Sequence, residues 1–293
     1  MIAPPPALAP GGATVPGKVA IVVLNWDAEP FLRRAVTSIV RHTRQPYQLV
    51  IVDNGSVDGS KAFIREFVRT HATIDVRVVD HAENLHFSRG YNTGFQAAAA
   101  DAEFLMVFCN DVEVKADGWL DPLIAACGRP GVVAAGHASP GTAVTAKQRE
   151  ILLRTAPRYT QDGLAARMRK FVGSPEASYT HLFGYCFLLC RRLLEHTGLY
   201  MEEADFRQYH SDWEWCLRFE QLGFEIASAP MAVHHWHSVS ELIALYPHRY
   251  RELLMAIEDP DTLATYLTQG RPLFQEESGY RVLASRERAV AED

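Results

Sequence analysis

Two periodicities of hydrophobic and polar residues alternate along the first half of the chain. Continuous apolar runs such as KVAIVVLNW (18–26) are typical of strands buried on both faces. Between these runs, apolar residues recur at every third or fourth position, which predicts amphipathic helices. The alternation predicts an α/β fold with a mainly parallel sheet, right-handed crossovers and flanking helices. The predicted strands are 18–26, 48–56, 76–80 and 102–111, and the predicted helices are 29–43, 60–70 and 88–100.

The second half of the chain is less regular. Residues 140–175 carry seven Lys or Arg against two acidic residues, with prolines near both ends and no strand pattern. This composition predicts a helical, mobile surface insertion. The other predicted elements are a disordered lead over 1–17, a strand at 180–192, a helix at 212–223 ended by Gly223, a strand at 224–230, and a C-terminal helical extension over 241–293 that Pro247 kinks.

Composition narrows the class of protein. The 293 residues carry a formal charge of -6, which gives no general attraction to nucleic acid or to anionic membranes. The longest apolar runs, such as FLMVFC (104–109), are too short to span a bilayer, and residues 1–17 lack the pattern of a signal peptide. Five cysteines without CxxC spacing are typical of reduced thiols. We therefore expect a cytoplasmic protein without a transmembrane segment, able to dock at a membrane surface.

Polar residues follow each predicted parallel strand. In such sheets ligands bind at the carboxyl ends of the strands, so these residues should share one rim. A carboxylate and an amide in Asp53-Asn54-Gly55-Ser56 suit a nucleobase or ribose, although Asn54 and Gly55 equally suit a tight turn. The Asp111 carboxylate can bind a divalent cation that also contacts a diphosphate. Alternatively, Asp111 is an ordinary polar residue at the end of a strand. The predicted rim consists of Asn25, Trp26, Asp27, Asp53, Asn54, Gly55, Ser56, residues 84–89, Asn110 and Asp111.

Two further clusters carry possible chemistry. In HSDWEWCLR (210–218), Asp212 suits either a helix cap or a catalytic base. The neighbouring Trp213 and Trp215 suit a partly desolvated aromatic surface on which a sugar can stack. In VHHWHS (233–238), adjacent histidines point apart in an extended chain, which argues against a complete zinc site. One histidine joining an Mg²⁺ or Mn²⁺ site suits the pattern better, and Mn²⁺ accepts a mixed carboxylate and imidazole shell more readily.

Seven sequence blocks follow one another along the chain: VVLNWDAEPFL, IVDNGSVDGS, ENLHFSRGYNTG, FCNDVEV, FGYCFLLCRRLLEHTGLY, YHSDWEWCLRFEQLGFEI and HHWHSVS. Together and in this order they resemble the family 2 inverting glycosyltransferases of the Rossmann-like GT-A fold, especially the bacterial rhamnosyltransferase-like branch. The resemblance covers 18–240 and implies a nucleotide-binding half (18–115) and an acceptor-binding half (116–240). It implies a hexosyltransferase that uses a UDP- or dTDP-sugar and Mn²⁺ or Mg²⁺.

The resemblance implies a role for each matching residue. Asp212 falls at the family's catalytic base, Asp111 at its metal-binding acid, and His235 at a histidine that joins the metal or the diphosphate. Gly184 and Tyr185 fall beside the donor sugar and acceptor, where we also expect Trp213. The residues expected to contact the nucleotide-sugar are Asn25, Trp26, Asp53, Asn54, Asn84, Arg89, Asn92 and Asn110.

Two positions depart from the family pattern. Cys109 stands where the metal motif usually begins with Asp or Asn, and Ser211 stands where a Glu usually precedes the catalytic Asp. The departures leave a catalytically degenerate nucleotide-sugar-binding protein as an alternative. A nucleotidyltransferase is the other alternative, although LNWDAEP (24–30) lacks the Gly-rich basic loop that holds a triphosphate. The sugar, the base, the oligomeric state, and whether the acceptor is a glycan, a lipid-linked saccharide or a small molecule stay open.

Overall fold

The computed structural model describes residues 14–159, 163–197 and 211–236. Strands and helices alternate along most of this span, as the hydrophobic pattern predicts. The strands are β1 (Val15–Asn25), β2 (Tyr47–Asp53), β3 (Val76–Asp80), β4 (Ala102–Cys109), β5 (Val112–Val114), β6 (Val132–Ala143), β7 (Ser178–Cys190), β8 (Glu225–Ser228) and β9 (Val233–His235). The helices are α1 (Glu29–His42), α2 (Ser60–Thr70), α3 (His86–Ala97), α4 (Asp121–Cys127), α5 (Ala146–Thr155), α6 (Leu164–Gly173), α7 (Arg191–Thr197) and α8 (Ser211–Gln221), with a 3₁₀ turn at Ala156–Arg158.

Seven strands form one sheet in the order β3-β2-β1-β4-β7-β6-β8. The first four of these are parallel, β7 is antiparallel to both β4 and β6, and β8 is parallel to β6. In register, Asn25 at the end of β1 lies beside Asp53 at the end of β2. The mainly parallel α/β sheet is confirmed, and its carboxyl edge brings the predicted polar strand ends together.

Helices cover both faces of the sheet. On one face, α3, α5, α6 and α8 pack on β1, β4 and β7, with large side chains such as Tyr91, Phe95 and Trp215. On the other face, α1, α2 and α4 pack on the same strands, with Leu32 and Leu123 fully buried. Burial on both faces explains why the strands read as continuous apolar runs.

Helices α5 and α6 occupy much of the segment 140–175, whose apolar side chains pack on the core while most of its Lys and Arg side chains are exposed. Its first residues complete β6, a strand that the sequence pattern did not predict. Leu152 of α5 and Met168 of α6 are fully buried in the core shared with α8. Arg149 donates to the carbonyl oxygens of Val172, Ser174 and Pro175, which fastens α5 to the end of α6. These contacts attach the segment to the rest of the domain.

The domain boundaries shift at the amino end. β1 begins at Val15, whose amide donates to the Asp101 carbonyl oxygen at 2.8 Å, so three residues of the predicted lead belong to the sheet. The predicted extension over 241–293 lies outside the described residues. Within the described ranges, no helix combines the length and apolar character needed to cross a membrane.

Candidate active site

The ends of β1, β2 and β4 are joined by side-chain hydrogen bonds. Asn110 Nδ2 donates to Asn25 Oδ1 at 2.8 Å, and Asn25 Nδ2 donates to Ser56 Oγ at 3.2 Å and to Asp53 Oδ1 at 3.4 Å. Asn25 and Asp53 are buried, at 0% and 1% exposure, so the network orders the rim from beneath. Ser56 was predicted to lie at the rim, but its contact with Asn25 was not, because the two residues lie far apart in the chain.

Asn54 holds a neighbouring loop in place. Its Nδ2 donates to Asn84 Oδ1 at 2.7 Å and to the His86 carbonyl oxygen at 3.1 Å, and its Oδ1 accepts from the Leu85 amide at 2.9 Å. Both amide protons are therefore in use, and Asn54 is only 2% exposed. The Asn54 side chain therefore has a structural role in this loop, and its contact with the nucleotide stays a prediction. The next residue, Gly55, has φ +76°, and a Cβ there would meet the Glu83 backbone.

The remaining predicted nucleotide contacts differ in accessibility. Arg89 on α3 is exposed and Trp26, after β1, is half-buried, so both can meet a ligand at the rim. Asn92 lies on the buried face of α3 at 1% exposure, which places it beneath the surface. Asn84 Oδ1 accepts from Asn54 and from the His86 amide, so this side chain shapes the loop as well.

Asp111 and His235 meet through a strand pairing that is distant in sequence. β5 pairs with β9 so that Val112 lies opposite His235, and the Trp236 amide donates to the Asp111 carbonyl oxygen at 2.9 Å. The pairing places His235 Nε2 3.3 Å from Asp111 Oδ2. The Tyr185 ring stacks on His235 at 4.3 Å, which fixes the imidazole plane. Of the neighbouring histidines, His234 packs on Trp236 and His237 lies outside the described residues.

Cys109 is the last residue of β4 and lies two residues before Asp111. Its Sγ is 3.8 Å from the Gly184 carbonyl oxygen, and the Tyr91 hydroxyl donates to it at 3.6 Å. Burial raises the pKa of the Cys109 thiol far above its usual range, and the charges of Asp111 and Asp212 raise this pKa further. The thiol therefore stays neutral. Asp111 follows this thiol by two residues, and Gly184, whose carbonyl oxygen the thiol contacts, borders Asp212, so both carboxylates lie near Cys109.

Asp212 lies in the first turn of α8, against β7. A Cβ added at Gly184 would lie 3.2 Å from both Cβ and Oδ2 of Asp212, so only glycine leaves this carboxylate its place. Asp212 Oδ1 accepts from the Trp213 amide at 2.9 Å, and Oδ2 lies 3.9 Å from His181 Nε2. The side chain of Asp212 keeps 26% exposure and remains reachable from the rim.

The other residues of the DWEW segment are structural. Glu214 is fully buried, lies 3.1 Å from Arg218 Nε and accepts from the Tyr159 hydroxyl at 2.7 Å. Trp213 and Trp215 are 3% and 1% exposed and belong to the core. The prediction that these two rings form a sugar-stacking wall is wrong, since neither offers an open face.

A row of rings along β7 escaped the sequence analysis. His137 of β6 stacks on Phe183 at 4.5 Å and lies 3.1 Å from the Tyr185 hydroxyl, and His181 meets the Phe183 edge at 4.9 Å. Tyr179, His181, Phe183 and Tyr185 occupy every second position of the strand, and this spacing is the signal that could have revealed them. The row leads from Asp212 toward His235.

The chemistry of the donor set fits a divalent cation. Carboxylate and imidazole are ligands that Mn²⁺ accepts, and adjacent ligands bonded at about 2.1 Å in an octahedron lie about 3 Å apart. The 3.3 Å between Asp111 Oδ2 and His235 Nε2 matches that spacing. The described residues contain no cluster of three or more acidic, His or Cys side chains placed around one ion. Further ligands would come from the diphosphate or from water.

Sequence comparison identifies the family. Residues 19–198 match the family described as Glycosyl transferase family 2, which is more than half of the chain, and the chain therefore belongs to this family.

Curated relatives of the chain are much longer than the chain itself. It is 26% identical over 239 residues to the O-antigen biosynthesis protein RfbC of Myxococcus xanthus, a match that covers 74% of this chain and 17% of that protein. It is 25% identical over 248 residues to the uncharacterized protein y4gI of Sinorhizobium fredii (strain NBRC 101917 / NGR234), covering 76% of this chain and 25% of that protein. The chain thus spans a quarter or less of these relatives.

Solved structures share the fold at low sequence identity. A mannosyltransferase of Pyrobaculum calidifontis, PcManGT in complex with GDP-Man and Mn²⁺, aligns with a TM-score of 0.53 and 16% identity over 94% of this chain and 74% of that one. GalNAc-T7 with UDP, GalNAc and Mn²⁺ aligns with a TM-score of 0.55 and 15% identity over 91% and 57%. At these identities the likeness confirms the GT-A fold alone.

Proposed function

We propose that this domain transfers a sugar from a nucleotide-diphosphate donor, a UDP- or dTDP-sugar, to an acceptor hydroxyl by a single inverting displacement. The observation that carries the proposal is that Asp111 and Asp212 both lie near Cys109: Asp111 follows it by two residues after β4, and Gly184, which contacts its Sγ, borders Asp212. Asp111 has a close imidazole partner suited to a cation, and Asp212 lies partly exposed in the first turn of α8. The two halves of the reaction, departure and attack, need these two different environments.

Departure of the nucleotide diphosphate leaves negative charge at a rim that already holds Asp53, Asp111 and Asp212. A bound Mn²⁺ or Mg²⁺ would offset that charge. Asp111 and His235 are the residues that would hold the ion, with Tyr185 stacked on the imidazole to keep it in place. The solved neighbours that contain Mn²⁺ with GDP-Man or with UDP support this assignment.

Asp212 is the proposed general base. An acceptor hydroxyl attacks well only as its proton leaves, so a carboxylate must lie within reach of that hydroxyl. Asp212 Oδ2 is partly exposed, whereas the nearby Glu214 is committed to Arg218 and Tyr159 inside the core. The absence of a side chain at Gly184 lets the Asp212 carboxylate lie directly against β7. No covalent enzyme nucleophile is required.

One observation favours a second candidate, a donor-binding protein without turnover. The neutral Cys109 thiol stands where a second acid would strengthen metal binding, and a thiol is a poor ligand for a hard cation. The two candidates differ in one measurable respect. Only the enzyme hydrolyses the donor slowly when Mn²⁺ is added and no acceptor is present.

Thermal-shift measurements test the proposal. The protein is melted with UDP, dTDP and GDP and their sugars, each with and without Mn²⁺. A ligand at about 100 times its Kd should stabilise the fold by about 2.7 kcal/mol. We expect stabilisation by one nucleotide family that depends on Mn²⁺, followed by release of free sugar from that donor. Proton NMR of a transferred product should show the inverted anomer. Absence of any nucleotide-dependent shift would contradict the proposal.

A further inference from the structure

A chain of polar contacts runs from α5 to Asp212. Gln148 Nε2 donates to the Tyr179 hydroxyl at 3.2 Å, and that hydroxyl lies 3.4 Å from His181 Nδ1. His181 Nε2, the other ring nitrogen, lies 3.9 Å from Asp212 Oδ2. The four side chains therefore connect the helical segment 146–155 with the proposed base.

The direction of these contacts is set at the start of α5. Gln148 Oε1 accepts from the Thr145 amide at 2.8 Å in a capping box, so the amide must turn its Nε2 toward Tyr179. Because Gln148 donates to the Tyr179 oxygen, the hydroxyl proton is available to His181 Nδ1. Burial raises the pKa of Tyr179 to about 12, which keeps the phenol protonated. A neutral imidazole that accepts at Nδ1 carries its proton on Nε2, facing Asp212.

Asp212 is held from its other side by the backbone. Its Oδ1 accepts from the Trp213 amide at 2.9 Å, which leaves Oδ2 to face His181. The 3.9 Å separation is longer than a hydrogen bond, and catalytic hydrogen bonds are often long in a free enzyme and shorten when substrate binds. A movement of about 1 Å brings the two atoms to hydrogen-bond distance.

We propose that His181 is a positioning residue for Asp212, donating from Nε2 to Oδ2 so that the carboxylate is oriented toward the acceptor hydroxyl. The Gln148–Tyr179 pair sets the ring tautomer that makes this donation possible. The inference rests on the proposed function, because it assigns Asp212 the part of the base. It also gives the segment 146–155 a role in catalysis at a distance from the reacting atoms.

Kinetics of Mn²⁺-dependent donor hydrolysis test the inference, with the UDP-, dTDP- or GDP-sugar that gives the highest rate. We expect His181→Phe to lower kcat about tenfold, a loss of transition-state stabilisation, while KM for the donor stays within about twofold. His181→Gln, which keeps an N–H donor, should recover most of the loss. His71→Phe, at the remote end of α2, is the matched control and should leave kcat unchanged. Equal kcat in His181→Phe and the wild type, or no recovery in His181→Gln, would overturn the inference.

Nitrogen NMR of the imidazoles gives a readout that needs no turnover. In ¹⁵N-labelled protein at pH 8, the signals lost in His181→Gln identify His181 among the twelve histidines. We expect the Nε2–H tautomer in the wild type and a mixture with the Nδ1–H tautomer in Tyr179→Phe. A wild-type Nδ1–H tautomer would overturn the inference even if the enzyme proves active.

The kinetic and NMR results separate failure of the inference from failure of the proposed function. Loss of turnover in Asp212→Asn together with full turnover in His181→Phe would refute only the positioning role. Full turnover in Asp212→Asn would refute the base assignment, and the role of His181 with it.

Discussion

Gly184 of β7 leaves no room for a side chain beside the proposed base. A Cβ at this position would lie 3.2 Å from Cβ and Oδ2 of Asp212 and 3.4 Å from its Cγ. Favourable contacts between such atoms begin at about 3.5 Å, so Gly184→Ala should displace the Asp212 side chain by about 0.3–0.5 Å. The backbone at Gly184 does not have the positive φ that would make alanine itself strained.

The size of the effect follows from the displacement. A misplacement of about 1 Å in a catalytic group can cost about a hundredfold in rate, so the smaller shift expected here should lower kcat about tenfold. Donor affinity should stay within about twofold, since the predicted nucleotide contacts follow β1, β2 and β4 or lie on and just before α3. Because the Asp212 side chain is partly exposed and can move, the free energy of unfolding should fall by no more than about 1 kcal/mol.

The assay is donor hydrolysis with Mn²⁺, together with urea unfolding of the same preparations. Gly173→Ala is the matched control, because a Cβ at Gly173 meets no atom within 4 Å. We expect the control to keep the wild-type kcat. If Gly184→Ala and Gly173→Ala turn over equally fast, the reasoning that places Asp212 at the reacting atoms is refuted.

Two further changes separate metal binding from structural support. In calorimetry with Mn²⁺, Asp111→Ala should reduce the affinity for the nucleotide diphosphate to its metal-free value. Glu113→Ala should not reduce it, because Glu113 pairs with Lys115 at 2.9 Å. Equal affinities in Asp111→Ala and the wild type would contradict this prediction. Glu214→Ala breaks a buried ion pair with Arg218 and should cost about 3–5 kcal/mol in urea unfolding, while a surface-like loss below about 1 kcal/mol would contradict the structural role.

Periodicity predicted the parallel part of the sheet because each of its strands is buried on both faces and each crossover helix has one apolar stripe. β6 escaped prediction because VVAAGHASPGTA mixes small residues with Gly141 and Pro140, which read as a loop. Without β6, residues 140–175 lacked an anchor and were assigned to the surface. The burial of Trp213 was missed for the same reason, since α5 and α6 share the core that contains its helix.

The sequence alone offers candidate site residues, whereas contacts between distant parts of the chain need the fold. Asp111 and Asp212 were chosen from their places in ordered blocks, and their roles stay predictions. The adjacent histidines look alike in sequence, and the pairing of β5 with β9 selects His235 by placing it 3.3 Å from Asp111. Likewise, an Asn beside a Gly suits both a turn and a ligand contact. Only the fold reveals that the Asn54 side chain is hydrogen-bonded to a loop about thirty residues away.

Turnover of Asp212→Asn tests the central claim most directly. The amide keeps the shape of the side chain and loses the ability to accept a proton, so the fold and donor affinity should be preserved. We predict that calorimetry with Mn²⁺ gives a donor Kd within about twofold of the wild type, and that single-turnover hydrolysis slows by about a hundredfold or more. Wild-type turnover in a folded, donor-binding Asp212→Asn protein would contradict the account.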